Sequence, residues 1–311
     1  MAPRKPIVVV GSINTDLVAV AERIPATGET IPGKEFQIHA GGKGANQAVA
    51  IARLGYPVRM IGKLGSDSFA GPLRAHLESA GVDTAAVSTV EGSTGVAVII
   101  VSTSGDNLIV VTSGANATLA PSDIDENLDS IRQAGLVLTQ LETPPATAEH
   151  LARVCAREGI PLMLDPAPAT DLPPGLVGQA TWFTPNETEA DFYAGGSRGE
   201  SPKNIARILL NQGWPGVVLK LGANGAYVAD RAGLERQVPS VSVHVLDTTA
   251  AGDTFNGAFA TGIMLGMKIT DSAKFAAAAA AISVSRPGAQ PSMPTMDEVQ
   301  TLLQEQGATT C

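Results

Sequence analysis

The chain has 311 residues, of which 44% are hydrophobic and 16% are charged, so it can bury a large core without disulfides or a structural metal. Its formal net charge is −9, and its basic residues form no run longer than the Arg4-Lys5 pair, which argues against nucleic acid or an anionic membrane as a partner. A small-molecule ligand is the expected partner.

The cysteines and the N-terminal residues indicate the compartment. Cys155 and Cys311 are the only cysteines, too few for a disulfide framework, so we expect a reducing environment. The first residues lead directly into a strand and lack the apolar core of a signal peptide. No apolar run approaches the length that spans a bilayer. The sequence therefore predicts a cytoplasmic protein without membrane contact.

Short apolar runs of strand length alternate with helical patterns along most of the chain, which is typical of an α/β fold with a mainly parallel sheet. Six of these runs end at a glycine or polar residue, and they are Ile7–Val10, Val58–Ile61, Leu136–Leu141, Pro161–Leu164, Thr181–Thr184 and Val217–Leu221. Because ligands of such sheets bind outside the carboxyl ends of the strands, we expect these six ends to border one cleft. Ordinary polar loops after strands are the alternative explanation.

Two segments interrupt the alternation and indicate a small antiparallel sheet. Leu17–Ala40 has apolar residues at strand period near its end, and Gly95–Val101 and Leu108–Thr112 are joined by a turn at Ser104–Asn107. A sheet inserted here would lie over the strand ends as a lid that excludes water. We expect an α/β core of residues 1–16, 41–93 and 113–311 and a lid of 17–40 and 94–112. An extension of the main sheet's edge is the alternative.

The glycine-rich segment Gly41-Gly42-Lys43-Gly44-Ala45-Asn46-Gln47-Ala48 opens a predicted helix that continues to Gly55. Lys43 and Asn46 are three residues apart, so they can share a helical face and present donors to a polyhydroxylated ligand. Asn14 and Asp16, two apart in an extended chain, point the same way. Together these residues favour a sugar site, although a glycine pair before a helix is also typical of a simple tight turn.

The segment from Asp247 to Gly257 places a carboxylate at the start of an apolar helix, which we expect to run from Ala251 to Met267. The first turn of a helix has unpaired N–H groups and favours anions. Gly252 lets a phosphate approach the backbone, and Asp253 could accept a proton from a hydroxyl. The alternative is that Asp247 or Asp253 only caps the helix.

These segments resemble a known family. The motifs are Gly11-Ser12-Ile13-Asn14-Thr15-Asp16, the Gly41–Ala48 segment, Pro185-Asn186-Glu187-Thr188-Glu189, the Asp247–Gly257 segment and Gly288-Ala289-Gln290-Pro291-Ser292. From about Ile7 to Leu303 the chain is similar to the ribokinase-like (phosphofructokinase-B type) sugar kinases. The resemblance implies ATP-dependent phosphorylation of D-ribose at its 5-hydroxyl. It also implies a Rossmann-like three-layer core with a β-sheet lid that builds a homodimer.

The resemblance assigns roles to particular residues. Asp253 would be the catalytic base, with the backbone amides of Ala250, Ala251 and Gly252 as the anion hole. The residues expected to hold the sugar are Asn14, Asp16, Gly42, Lys43, Asn46, Glu142 and Asp253. Asn186 and Glu189 would organise Mg²⁺ and the phosphates, largely through water. The residues expected to border the nucleotide are Asn186, Glu189, Lys220, Gly222, Ala223, Asn224, Gly225 and Gly252.

The resemblance further implies a K⁺ site beside the anion hole, formed by Asp247, Thr249, Ser283, Arg286, Gly288 and Ser292. The chain departs from the family pattern at two positions. Lys220 stands where a small hydroxyl residue is common and could pair with a phosphate, and Ala277 stands where a polar residue often meets the adenine.

The activity implied by the resemblance has two alternatives. A kinase of the same type that acts on 2-deoxyribose, fructose or a nucleoside is the first. A nucleoside would need an aromatic stacking surface, whereas aromatic residues are only 4% of the chain and Phe36 is the lone candidate in the lid. A non-catalytic sugar or nucleotide sensor that kept the fold is the second, but such proteins usually lose the base or the anion-hole glycine, and both are present here.

Overall fold

A nine-stranded sheet forms the centre of the protein, whose computed structural model describes residues 4–197 and 199–309. The strand order is β13-β12-β11-β10-β9-β8-β1-β4-β5, and all neighbours from β11 to β5 are parallel. The strands are β1 (Ile7–Val10), β4 (Val58–Leu64), β5 (Asp83–Thr89), β8 (Leu136–Thr139), β9 (Leu162–Leu164), β10 (Trp182–Phe183), β11 (Gly216–Lys220), β12 (Ala226–Asp230) and β13 (Glu235–Val238). The predicted α/β class with a mainly parallel sheet is confirmed.

Helices cover both faces of this sheet and make the predicted three layers. One face carries α1 (Lys43–Arg53), α2 (Ala70–Ser79), α8 (Ala251–Met264), α9 (Ile269–Val284) and α10 (Met296–Thr309). The other carries α3 (Pro121–Glu126), α4 (Leu128–Arg132), α5 (Pro145–Glu158), α6 (Glu187–Tyr193) and α7 (Pro202–Gln212). No helix among the described residues is long and apolar enough to cross a bilayer.

Alternate residues of the central strands belong to different cores. Ile7 and Val9 pack among the helices of the first face, whereas Val8 and Val10 pack among those of the second. All four are essentially inaccessible to solvent. A strand that is buried on both faces reads as a continuous apolar run, which is why β1 could be located from sequence.

The predicted strand ends agree with the structure to within a few residues, with one instructive error. Gly62 was expected to end a strand, but β4 continues through it to Leu64 because residues 62–64 pair with β5. A Cβ atom at position 62 would lie 2.9 Å from the carbonyl oxygen of Gly11, so glycine here reflects close strand packing. The helix expected over Ala251–Met267 ends at Met264, and Gly266 follows with a φ of 79°.

A second sheet contains the four remaining strands in the order β3-β2-β6-β7. They are β2 (Asn14–Ala21), β3 (Gly33–Gly41), β6 (Gly95–Ser102) and β7 (Asn107–Thr112). The outer pairings are antiparallel as expected, but β2 and β6 are parallel because the chain crosses the main sheet between them. β2 begins at Asn14, three residues before the predicted lid boundary, so Asn14 and Asp16 lie on a strand of this second sheet.

Helices α1 and α8 approach each other closely. A Cβ atom on Gly257 of α8 would lie 2.7 Å from the Cβ of Ala50 and 3.0 Å from the carbonyl oxygen of Gln47, both on α1. Glycine at this point therefore lets the two backbones come together. The approach brings the first turn of α1, with Asn46 and Gln47, against the first turn of α8, with Asp253.

Candidate active site

The cleft at the carboxyl edge of the main sheet collects most of the residues that the sequence singled out. The first turns of α1 and α8 face each other there, and β2 begins beside them. Loops that follow β8, β9 and β10 contribute Glu142, Asp165 and Asn186. Hydrogen bonds tie these segments to one another across more than a hundred residues of sequence.

Asp253 is the third residue of α8 and is 5% exposed. Its Oδ2 accepts a hydrogen bond from Asn46 Nδ2 at 3.0 Å, and its Oδ1 accepts one from Gln47 Nε2 at 3.1 Å. The residue at the N-cap is Ala250, and no side chain caps the helix. The capping explanation is therefore wrong for both Asp247 and Asp253, and the Asp253 carboxylate faces the cleft.

Asp253 and Asp16 are acidic groups that would normally be ionised well below neutral pH, and burial changes this. Burial raises the pKa of Asp253 to about 6, the nearby Lys43 ammonium lowers it, and Asp165 adds to the rise. Burial also raises the pKa of Asp16 to about 7, with the charges of Glu142 and Asp253 acting in the same direction. Both carboxyls consequently titrate close to neutral pH, which suits proton transfer.

Lys43 begins α1 and supplies the positive charge of the cleft. Burial lowers the pKa of its ammonium, but Asp253, Asp165, Glu142 and Glu189 outweigh this effect and raise the pKa. The Lys43 backbone N–H donates to Glu142 Oε2 at 3.0 Å, and Ser12 Oγ donates to the same oxygen at 2.5 Å. Glu142 thus holds the start of α1 against the end of β1.

Asn14 and Asp16 lie two residues apart on β2, so their side chains are on the same side of that strand. Asn116 Nδ2 donates to Asn14 Oδ1 at 2.7 Å, and its own Oδ1 accepts from the Ile13 N–H at 2.9 Å. Gly42 has a φ of 89°, and a Cβ there would lie 2.7 Å from the Asn14 nitrogen. The glycine is therefore required both by its conformation and by the close passage of β2.

The residue before α8 has an unusual backbone. Ala250 has a φ of 58°, in the left-handed region, and no other non-glycine residue in the described ranges has a positive φ. This conformation costs an alanine about 1 kcal/mol or more and is typical of functional turns. It turns the chain so that α8 starts at the cleft. The Ala251 N–H donates to the Thr248 carbonyl at 3.2 Å, so of the three predicted anion-hole amides this one already has a partner.

Lys220, at the end of β11, forms a nearly buried ion pair. Its Nζ donates to Asp165 Oδ1 at 2.8 Å, and the two side chains are 10% and 3% exposed. The same Nζ lies 3.6 Å from the position that a Cβ on Gly252 would occupy. A cation therefore stands directly beside the first turn of α8.

Asn186 and Glu189 form a capping box at the start of α6. Asn186 Oδ1 accepts from the Glu189 N–H at 2.9 Å, while Glu189 accepts at 2.8 Å from the Asn186 N–H and at 2.9 Å from its Nδ2. Each carboxylate oxygen of Glu189 has one such bond and keeps a lone pair. Burial raises the pKa of Glu189, with Lys220 opposing and Asp165 adding to the rise. Such oxygens can accept hydrogen bonds from the water shell of Mg²⁺.

A cavity of about 440 Å³ adjoins the first turn of α8. Its walls are mostly apolar and are formed by Val241, Val243, Val245, Phe255 and Ala277, with Lys220, Gly222, Ala223, Gly225 and Gly252 at one side. An apolar slot of this kind suits the faces of a purine. Of the residues predicted to border a nucleotide, Asn224 lies instead on another cavity of about 750 Å³, and Asn186 and Glu189 line neither of the two.

The residues predicted to bind a monovalent cation come together behind α8. Asp247 Oδ1 accepts from the Thr249 N–H at 2.9 Å, and its Oδ2 accepts from the Gly288 N–H at 2.8 Å, which joins two loops. Ser283 Oγ and Ser292 Oγ are 2.7 Å apart. Burial raises the pKa of Asp247, but the bonds from Thr249 and Gly288 outweigh this effect and lower it. An ionised carboxylate among hydroxyl and carbonyl oxygens fits K⁺, whereas the Arg286 side chain binds Glu298.

Comparison with known proteins decides the family. The model for the pfkB family carbohydrate kinases matches residues 4–296. The chain belongs to the pfkB family of carbohydrate kinases. This pfkB chain is 40% identical over 304 residues to a ribokinase of Haemophilus influenzae, with 97% of this chain and 99% of the relative covered. It is 36% identical over 301 residues to a deoxyribokinase of Salmonella typhi, with 96% and 98% covered.

Solved structures agree with this assignment. The structure of an Arabidopsis thaliana ribokinase complexed with ribose and ATP superimposes on this pfkB chain with a TM-score of 0.91. The two are 36% identical, and the comparison covers 97% of this chain and 99% of the other. The predicted fold, including the second small sheet, is therefore that of the family.

Several polar residues of the pfkB cleft were missed by the sequence interpretation. They are Ser12, Gln47, Asn116, Gln140, Asp165 and Gln290, all buried. Asp165 was noted only as the end of a strand, and a carboxylate at a strand end could have marked it. Ser12, Gln47 and Gln290 lie within the quoted family motifs but were given no role. Gln140 carries no such signal, because a buried amide is recognised only by its three-dimensional partners.

The raised pKa of Asp253 predicts how stability depends on pH. Between about pH 4 and 6 the folded protein holds a proton on Asp253 that the unfolded chain releases, so stability falls as pH rises through this range. The substitution Asp253→Asn removes the buried charge. The quantity of interest is the change in the free energy of unfolding that Asp253→Asn causes relative to the unchanged protein. We expect this change to be more stabilising at pH 8 than at pH 4, by up to about 3 kcal/mol.

Urea unfolding of both proteins at the two pH values measures this difference, and the pH 4 comparison serves as the internal control. An equal effect of Asp253→Asn at pH 4 and pH 8 would contradict the assigned pKa.

Proposed function

We propose that the chain transfers the γ-phosphoryl group of ATP to the 5-hydroxyl of D-ribose and releases D-ribose 5-phosphate and ADP. The observation that carries the proposal is the position of Asp253, a buried carboxylate at the start of a helix. Asn46, one of the residues predicted to bind the sugar, donates a hydrogen bond to it, and the cavity of about 440 Å³ is lined by its neighbours Ala251 and Gly252. Ribokinases are among the relatives with the highest identity.

In this proposal the sugar contacts Asp253 and the groups of β2, α1 and the loop after β8, namely Asn14, Asp16, Gly42, Lys43, Asn46 and Glu142. Carboxylates accept from neighbouring hydroxyls, and Lys43 and Asn46 donate to sugar oxygens. The mixture of acceptors and donors matches a polyol, whose hydroxyls both donate and accept.

The chemical step needs one proton acceptor. Asp253 removes the proton of the 5-hydroxyl, the hydroxyl oxygen forms a bond to the γ-phosphorus, and the bond from that phosphorus to the bridging oxygen of ADP breaks. Since burial places the pKa of Asp253 at about 6, it is deprotonated at neutral pH and remains a competent base. Positioning and electrostatic stabilisation supply most of the acceleration in such transfers.

The charge on the phosphates is opposed by groups around the start of α8. In this proposal the backbone amides of Ala250 and Gly252 and the positive end of the helix face the transferring group, and Lys220 lies beside them. The Ala251 amide would have to leave the Thr248 carbonyl to join them. Asn186 and Glu189 would hold Mg²⁺ through its bound waters, and the ion would supply positive charge to neutralise phosphate oxygens. The cavity with Gly222, Ala223, Gly225 and Ala277 receives the nucleotide, Ala277 making an apolar contact with the purine.

The proposal includes a bound K⁺ ion. Its ligands would come from Asp247, Thr249, Ser283, Arg286, Gly288 and Ser292. It would neutralise Asp247 and fix the two loops that precede α8 and follow α9. Arg286 and Gly288 contribute carbonyl oxygens in this scheme, since the Arg286 guanidinium is engaged by Glu298.

The lid and a homodimer complete the proposal. Residues 17–40 and 94–112 cover the sugar, with Asp16 at their edge. One face of the second sheet exposes Phe36, Ile38, Val98, Leu108 and Val110, which the strand register places side by side. Because a contiguous apolar face is typical of an interface, a second copy of the chain covers it. The cytoplasm is the proposed location, consistent with the buried, unpaired Cys155.

A kinase for 2-deoxyribose is the second candidate, since a deoxyribokinase is 36% identical over 301 residues. The two sugars differ by one hydroxyl. A site built to bind that hydroxyl rejects the analogue that lacks it by leaving buried polar groups unpaired. The Asp16 carboxyl, which is half-buried and carries a raised pKa, is such a group.

The substrate is tested by comparing kcat/KM for D-ribose, 2-deoxyribose, fructose and adenosine, with ATP and Mg²⁺, in a coupled assay of ADP release. We expect ribose to exceed each of the others by about tenfold or more, because loss of one hydrogen-bonded hydroxyl corresponds to at least that factor. A tenfold preference for any other sugar would overturn the ribose assignment.

The Asp253→Asn variant is the matched control in that assay, since it keeps the shape of the side chain and removes the base. Its kcat is expected to fall by about 10²–10⁴ while ribose affinity is retained. Near-normal turnover would remove Asp253 from the base role.

The cation proposal predicts faster turnover in potassium than in sodium at equal ionic strength. The smaller Na⁺ fits poorly among oxygens spaced for K⁺, so the loops around Asp247 and Gly288 are less well fixed. The same assay in the two chloride salts measures this ratio, with Asp247→Asn as the variant in which the difference is expected to shrink. Equal rates in both salts would dispose of the K⁺ site.

The dimer proposal predicts that Ile38→Glu gives a monomer, because it places a charge in the centre of the apolar lid face. Gln37→Glu is the control, since its side chain lies on the opposite face of the same strand. Sedimentation equilibrium of the three proteins distinguishes the outcomes. A monomeric unchanged protein, or a dimeric Ile38→Glu variant, would be incompatible with this interface.

A further inference from the structure

The two amides that bind Asp253 are themselves each held by a second amide. Asn46 Oδ1 accepts from Gln290 Nε2 at 2.9 Å, and Gln47 Oε1 accepts from Gln140 Nε2 at 2.7 Å. All four amide side chains are buried, with at most 7% exposure. The carboxylate therefore stands at the junction of two chains of amides that come from opposite sides of the cleft.

The direction of the hydrogen bonds in both chains is set by the charge of Asp253. An ionised carboxylate only accepts, so Asn46 and Gln47 must present their NH₂ groups to it. Their oxygens then point away and need donors, which Gln290 and Gln140 provide. At the far ends, Gln290 Oε1 and Gln140 Oε1 are buried and accept no hydrogen bond within the described ranges. The unsatisfied acceptors lie at the ends distant from the carboxylate, as this direction requires.

We propose that Gln140 and Gln290 are positioning residues that lock the donor ends of Gln47 and Asn46 onto Asp253. The proposal rests on the assignment of Asp253 as the base in the proposed function. Neither glutamine is hydrogen-bonded to Asp253, and they act on it only through the intervening amides. Without them, rotation of the Asn46 or Gln47 amide by half a turn places an oxygen against the carboxylate.

Such a rotation has two consequences for the reaction. An amide oxygen facing the carboxylate disfavours its ionised form, so the base becomes protonated at a higher pH. It also leaves the Asp253 oxygens without the contacts that aim them at the hydroxyl. Gln47 has a further partner, since its Nε2 also donates to Asp165 Oδ2 at 2.8 Å. Gln140 consequently positions the amide shared by both buried carboxylates.

The test uses the full chain with Gln290→Leu and Gln140→Leu, which remove the donors without adding charge. We expect kcat/KM for ribose to fall about tenfold in each, because rotation of Asn46 or Gln47 then removes one hydrogen bond to the charged Asp253. The acidic limb of its pH profile is expected to move upward by about one unit. KM for ATP should change less than twofold. Gln179→Leu, at an exposed glutamine, is the control and should match the unchanged protein.

Gln290→Glu is the second variant for position 290 and has the shape of glutamine. A carboxylate there accepts from Asn46 and so turns its oxygen toward Asp253, and we expect a larger upward shift of the acidic limb. A lower kcat/KM with an unmoved acidic limb in the folded variants would show a merely structural role and overturn the proposal.

A separate measurement keeps this result apart from the fate of the proposed function. Urea unfolding from pH 4 to 8 reports the pKa of Asp253 without any substrate. When Asp253 is present, Gln290→Leu should make the free energy of unfolding depend more steeply on pH. In an Asp253→Asn background, Gln290→Leu should leave the pH dependence of this free energy unchanged. If no sugar is phosphorylated, the proposed function fails while this cycle still decides the positioning role. The same pH dependence in both backgrounds would refute that role.

Discussion

Burial of one carboxylate between two helices is the constraint on which this active site depends. Asp253 lies at the start of α8, where α1 comes close enough for Asn46 and Gln47 to reach it. The approach is possible because Gly257 has no side chain to hold the helices apart. The packing of the two helices therefore also determines the protonation behaviour of Asp253. In this pfkB chain the first turns of α1 and α8 face each other at the carboxyl edge of the sheet.

The same cleft is unfavourable for the folded state in the absence of ligand. Burial raises the pKa of both Asp16 and Asp253 toward neutrality, so ionised forms at neutral pH are retained against their environment. Ala250 adds a left-handed backbone to this site. Lys220 and Asp165 add a nearly buried ion pair. These cleft residues thus lower the stability of the folded state, and burial of the two apolar cores on either side of the sheet compensates for this loss.

The sequence was informative where local physics determines the structure. Ile7–Val10 was located correctly because a doubly buried strand is continuously apolar, and the strand ends correctly indicated the edge at which polar residues gather. The glycine-rich and Asp247–Gly257 motifs identified the family. β5 was missed because only some of its residues are buried, and the length of β4 was underestimated with it. The roles of Gln140 and of Gln290, which lies in a quoted motif, were not predictable, since their partners lie about a hundred and more residues away.

The origin of β2 links the second sheet to the sugar position. The strand starts at Asn14, immediately after the turn that follows β1, and Asp16 is its third residue. The segment that connects the large sheet to the small one therefore also carries Asn14 and Asp16, two of the residues proposed to bind the sugar. Any movement of the small sheet relative to the large one must also move these two side chains. If the small sheet acts as the proposed lid, opening it would therefore also separate Asn14 and Asp16 from the residues of α1 and α8.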